Sequence, residues 1–405
     1  MDDGAPRDLL QPAVLALPFT AGYLIKQRFV ELSLLELGKA VLKLAVLYAL
    51  LVGVAPSVVF VVVAAVVSDL AFTLATTIRS RAFVPELTLR MALFDRSTAL
   101  GLATFGFWTT VGRAAMIFYS TAGTVILNLV GSPVDVINYF LGITLFQQLQ
   151  NILLVARQPM QPALIAMHAL DDQERLADAV CRTGRYELWL ALLPVGALAL
   201  FAHDIVRIVF SSDYDGAGPV IILFMATFPF AQPTGIMYTL AIARGKVRDI
   251  NLAVLACSTI GLLIAYIFHQ TIGLDAVTMA ACLVITIIVP QLVYFWPEHL
   301  RLSGVAPRTF LIDVVAYGLT PAAVSMGAMI YMKSFLHEPG IVGVGTVVAV
   351  GGALYCAVMA ALARRTGDWQ IVAAQLARIR RMSRGAASRR ATVAQKQALS
   401  VRSGA

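Results

Sequence analysis

Charge is what this sequence has least of. Asp, Glu, Lys and Arg make up 13% of its 405 residues and hydrophobic residues 59%, whereas ordinary soluble domains carry roughly 25% charged residues. That balance excludes a soluble globular protein and predicts a membrane protein. Cysteine is sparse too: Cys181, Cys257, Cys282 and Cys356 have no CxxC or paired spacing, so neither a disulfide framework nor a zinc site is expected. The five histidines, His168, His203, His269, His299 and His337, show no HxxxH or HExxH pattern, which argues against a metal site. GIVGVGTVVAVGGAL has glycines but no GK[ST]; inside an apolar run such glycines let helices pack closely. No enzyme constellation and no cofactor site is expected. The net charge of +8 does not point to nucleic acid, because the basic residues fall between apolar runs rather than on one soluble surface.

Long apolar runs are what the sequence has instead. A bilayer core about 30 Å thick takes about 20 helical residues, and on that measure spans are predicted at about 9–25, 34–54, 56–78, 98–127, 136–156, 188–209, 218–243, 250–270, 272–295, 309–332 and 340–363. They must be helices, since lipid offers no water to satisfy the backbone and the alternation of a β-barrel is absent. The expected fold is an all-α polytopic bundle of about eleven spans. MDDGAPRD is acidic where a secretory signal needs a basic start, so the first run reads as a retained span.

Lys and Arg alternate between the connections. IKQRFVELSLLELGK, RSRAFVPELTLRMALFDR, the stretch from ARQPMQ to RTGRYE, ARGKVRD and PEHLRLSGVAPR are basic; GVAPS, GSPVD, SSDYDGAG and HQTIGLD are not. Arg7, Arg207 and Lys333 fall on the poor side, and Lys43 and Arg113 lie inside spans. Positive charge marks the cytoplasmic side, which puts the C-terminus in the cytoplasm and the N-terminus outside. Two soluble pieces remain: a polar helix in LDDQERLADAVCRTGRYEL between the fifth and sixth spans, and a basic tail, IVAAQLARIRRMSRGAASRR, read either as a short helix on anionic headgroups or as a solvated tail.

A charge at bilayer depth costs at least about 2.5 kcal/mol, so it normally faces a partner or a watery cavity. Lys43 and Asp69 lie at matching depth, roughly 13 Å in at 1.5 Å per residue. They read as a neutralising pair across adjacent helices, or, for Asp69, as an ion-coupling carboxylate. Arg113 in GFWTTVGRAAMIFYS has no carboxylate at its level. Thr109, Ser120 and Thr124 share its helical face, which predicts a polar stripe. TLFQQLQN adds Thr144, Gln147, Gln148 and Asn151, with Gln147 and Asn151 on one face; these amides read either as ligand contacts or as interhelical glue. A cavity of guanidinium, hydroxyls and amides suits an anionic, sugar-bearing ligand, because Arg offers a bidentate fork to phosphate.

The order of features from Ser97 to Pro297 resembles the polysaccharide-transporter branch, the O-antigen flippases, of the multidrug/oligosaccharidyl-lipid/polysaccharide exporter superfamily. The residues that carry it are Pro162, the charged helix from Asp172 to Arg185, Pro194, Phe210, Tyr214, Ala217 and Pro219, then ARGKVRDINLAV as the basic turn. The resemblance implies two six-helix bundles around a central cavity plus two further helices, in the bacterial inner membrane. It also implies flipping of a polyprenyl-pyrophosphate-linked glycan for lipopolysaccharide or polysaccharide assembly, among other membrane proteins of that assembly. Aligned on that plan, residues 1–96 hold only three spans of the first bundle, 97–300 the second bundle, 301–365 the extra pair and 366–405 the tail, as if three N-terminal spans preceded Met1 or had been lost. The alternatives are an ion-coupled small-molecule exporter of the same superfamily, a membrane glycan polymerase, disfavoured by the lack of a long outer loop, and a non-transporting relative.

Overall fold

The computed structural model describes residues 22–23, 28–53, 59–84, 95–170, 172–271, 273–336 and 340–369. Among them every regular element is helical. The span expected at 9–25 falls outside them except for residues 22–23, as does the tail beyond residue 369. Among the described residues, eight helices are long and apolar enough to cross a membrane, or nine if a bent pair counts as one span. The chain is therefore an all-α, multi-pass membrane bundle, and it divides into two compact units, residues 1–103 and 104–405.

In the first unit, α1 (Phe29–Gly53) packs along α2 (Val59–Phe83). The apolar run of α1 is interrupted by Glu36, Lys39 and Lys43, and it is not one of the eight. The expected Lys43–Asp69 pair is corrected here. Asp69 pairs with Lys39, one turn before Lys43, and Arg79 reaches Glu31 at 2.7 Å. Antiparallel helices set the register by the whole row of charges, and the second pair fixes Lys39 opposite Asp69.

The longer α-helices that follow are α3 (Arg96–Val130), α4 (Pro133–Arg157), α5 (Gln161–Ala169), α6 (Gln173–Leu200), α7 (Ala202–Val209), α8 (Ala217–Met225), α9 (Met237–Ala243), α10 (Val247–Thr271), α11 (Ala276–Pro290), α12 (Trp296–Ser303), α13 (Tyr317–Lys333) and α14 (Ile341–Arg365). The polar helix expected as a separate piece is the first half of α6. No proline falls within α6 before Pro194, and the helix continues through it to Leu200, bending by 72° only where α7 begins.

Close approach at small residues brings the cavity helices together. A Cβ at Gly112 would fall 2.0 Å from the Asn251 amide oxygen, so α3 and α10 touch there, and one at Gly142 would fall 2.4 Å from Val220, which sets α4 on α8. Ser132 caps α4 in a reciprocal box with Asp135, two otherwise unpaired donors satisfied at once. The other Asp135 oxygen accepts from the Ala276 backbone N–H at 3.4 Å, tying the starts of α4 and α11. The buried core runs through Tyr139, Leu188, Val220, Phe224, Phe228 and Leu283. Outward faces carry Leu129, Val155, Tyr266 and Val342, side chains suited to lipid chains.

Two irregular stretches bear on the cavity, and others lie elsewhere: a 3-10 turn, Gln158–Met160, follows α4 and a π-helix, Phe310–Ala316, leads into α13. Between α8 and α9 the chain passes through a short turn, Phe228–Ala231, and a 3-10 turn, Gln232–Thr234, because Pro229 and Pro233 have no N–H to continue an α-helix. Between α11 and α12, after Pro290, Gln291–Phe295 forms a π-helix, a departure often found at functional sites.

Candidate functional site

A cavity of about 690 Å³ lies among α3, α4, α8, α10, α11 and the π-helix, within the second unit. Arg113, Gln147 and Asn151 line it, three of the residues expected from sequence. Arg113 lies midway along α3 and is exposed. None of the ion pairs among the described residues includes it. Its guanidinium is thus available to a ligand.

The expected polar stripe on α3 does not hold together. Thr109 turns its hydroxyl back to the Gly106 carbonyl at 2.9 Å, and neither it nor Thr124 lines the cavity. Thr124 is three turns beyond Arg113, about 16 Å along the axis. The side chain of Ser120 lies outside the described residues. The residues that share the cavity with Arg113 on α3 are Met116 and Ile117, at the +3 and +4 positions of its own face. Of the TLFQQLQN patch, Gln148 is exposed, and neither it nor Thr144 is a cavity residue.

Sequence reasoning missed Gln150, Ser258, Thr286 and Gln291, which also line the cavity. Gln150 stands three residues after Gln147 and one before Asn151, so its helical spacing was a usable signal. Gln291 is an amide directly after a proline in an apolar run, at the four-residue spacing from Ile287 and Phe295 that puts all three on one helical face. The hydroxyls of Ser258 and Thr286 bond to carbonyls of their own helices, Val254 and Leu283, at 2.8 and 2.9 Å. The amides and Arg113 therefore carry the polar recognition. Phe146, Phe224, Ile143, Val254 and Ile287 supply apolar walls, and the cavity is amphipathic.

Beneath the amides is a buried polar network. Gln150 accepts from Gln232 at 3.3 Å, and Gln291 donates to the Thr234 hydroxyl; both partners sit in the 3-10 turn of the broken span. Arg157, the last residue of α4, donates to the Gln232 side chain at 3.2 Å and to the Gly235 carbonyl at 2.7 Å. That carbonyl is accessible because the 3-10 turn breaks the α-helical ladder. Arg157 also pairs with Glu187 of α6 at 3.4 Å. Both residues escaped the sequence reading because they fall just outside the predicted spans. Among the described residues, no group of three or more His, Cys, Asp or Glu side chains could hold a metal.

Compared with known proteins, the chain matches no family model and has no significant match among curated proteins.

Proposed function

We propose that this protein is a transporter that binds an amphipathic anion in the cavity and moves it across the membrane, and that the anion is a polyprenyl-pyrophosphate-linked oligosaccharide, as the resemblance to O-antigen flippases implies. The observation that carries the reading is Arg113: an unpaired guanidinium on a cavity wall that also bears Gln147, Gln150, Asn151 and Gln291 and apolar side chains. A bare cation at such a depth needs a counter-charge. Guanidinium answers phosphate with a bidentate fork, amides answer sugar hydroxyls, and the apolar walls answer the prenyl chain. In this reading the protein sits in the bacterial inner membrane with its C-terminus in the cytoplasm, the side its Lys and Arg favour. The basic tail then lies against anionic headgroups, beside the other membrane proteins of glycan assembly.

Glycan export in a cell deleted for its own flippase tests this. The full chain restores export, Arg113→Ala abolishes it and Arg113→Lys keeps part of it, at equal protein level. Export restored equally by all three removes Arg113 from the mechanism. No export by any of them at full expression overturns the substrate.

A further inference from the structure

Glu187 is confined without being satisfied. Its side chain is 7% exposed, and neither carboxylate oxygen accepts a hydrogen bond. Its one ion-pair partner, Arg157, directs its shorter bonds elsewhere, to Gly235 and Gln232. No further donor fits on the open side: a Cβ at Gly235 would lie 1.7 Å from a Glu187 oxygen, so the backbone of the broken span closes over the carboxylate. For a buried pair, desolvation competes with attraction unless extra hydrogen bonds satisfy the ions, and here the carboxylate has none.

We propose that Glu187 is a proton-binding site that sets the charge under the cavity floor; this rests on the reading of the cavity as an anion site. In the step, a hydronium ion gives one proton to a Glu187 oxygen: one O–H bond of the hydronium breaks, one forms on the carboxylate, and a neutral water is left. The pair goes from neutral to a net positive charge carried by Arg157. That charge sits one hydrogen bond from Gln232 and two from Gln150, a cavity residue. A protonated Glu187 thus makes the floor more attractive to an anion, and a deprotonated one makes it less so. Arg157, the more exposed of the two, is the last residue of α4.

Other ionisable groups on or beside elements packed against α6 include His168, Arg244, Glu298, His299, Arg301 and Asp313, and α6 itself carries Cys181, Arg185 and Tyr186. Arg185 is held by Asp368, and Arg244 donates to Gln173. Among the described residues, the ion pair that includes Glu187 is the one with Arg157.

The test uses the full chain in nanodiscs, with two readouts. Infrared difference spectra on acidification from about pH 8 to about pH 4, the range that brackets an ordinary glutamate and its upward excursions, show a carboxylic C=O band that Glu187→Gln removes. Binding of decanesulfonate, an amphiphilic anion of constant charge, tightens roughly tenfold over the same range in the wild type, equivalent to about 1.4 kcal/mol. In Glu187→Gln it is tight throughout. Should that variant not fold, Glu187→Asp shifts the band instead of removing it. An unchanged band, or the same pH dependence of binding in both proteins, overturns the proposal. A band that is lost with no decanesulfonate binding in either protein sinks the anion cavity while upholding the proton site.

Discussion

Lys333, the last residue of α13, donates to the Asp204 carboxylate at 2.7 Å and to the Leu200 carbonyl at 2.9 Å, with its ammonium 4.7 Å from the centre of the Phe201 ring. It is one of the three basic residues that the sequence puts on the charge-poor side. Arg207, the second, grips Asp215 with two bonds of 2.9 Å from its Nε; Arg7, the third, lies outside the described residues. Both described exceptions to the charge asymmetry therefore have a carboxylate partner.

The Lys333–Asp204 contact joins α13 to the 72° bend between α6 and α7, where the Leu200 carbonyl has lost its helical partner. Lys333→Ala leaves both acceptors unpaired, one of them a largely buried carboxylate, a loss of about 1–3 kcal/mol. The thermal midpoint of the detergent-solubilised protein falls accordingly. Asp204→Asn, which keeps the Leu200 bond, costs less.

The Arg207–Asp215 pair gives a pH dependence with a definite sign. Hydrogen bonding from Arg207 holds the Asp215 carboxyl below its ordinary value of 3.8. A depressed carboxylate contributes stability that is fully present above its unfolded value and lost as the pH falls through its folded value. The difference in thermal midpoint between wild type and Asp215→Asn is accordingly constant from about pH 7 to pH 5 and closes only below about pH 4, where a free aspartate titrates. A difference that closes near pH 6 contradicts the assignment.

Gly184 carries the contact between α6 and the broken span. A Cβ there would fall 2.7 Å from the Pro233 carbonyl oxygen, and backbone cannot yield as a side-chain end does. Gly184→Ala therefore lowers stability by about 1–3 kcal/mol, the cost of forcing an extra carbon into a packed site, read as a lower thermal midpoint. Gly352→Ala, with open space at its Cβ, is the neutral control.

The helical class and most spans were legible because lipid leaves the backbone few options and apolar length alone reports a crossing. Arg113, Gln147 and Asn151 were legible for a related reason: a polar group in an apolar run is costly, so its presence marks a cavity or a partner. What failed was finer. Thr109 and Thr124 share the helical face of Arg113, but a Thr hydroxyl can satisfy itself on its own helix, as Thr109 does, and helix-face arithmetic does not see how far along the axis a cavity extends. Lys39 rather than Lys43 meets Asp69 because register depends on the neighbouring Glu31–Arg79 pair as well. Arg157 and Glu187 each fall one residue outside a predicted span, so a search for charges inside apolar runs passes over both, and their pairing is a contact between α4 and α6 that hydrophobic periodicity does not report.

Calorimetric binding of farnesyl pyrophosphate and of farnesol to the full chain, with and without Arg113→Ala, tests the central claim most directly. A charge-assisted contact contributes about 1.5–3 kcal/mol, so the pyrophosphate binds the variant at least roughly tenfold more weakly, while farnesol binds both proteins alike. Equal affinity of the pyrophosphate for the two proteins would contradict the account.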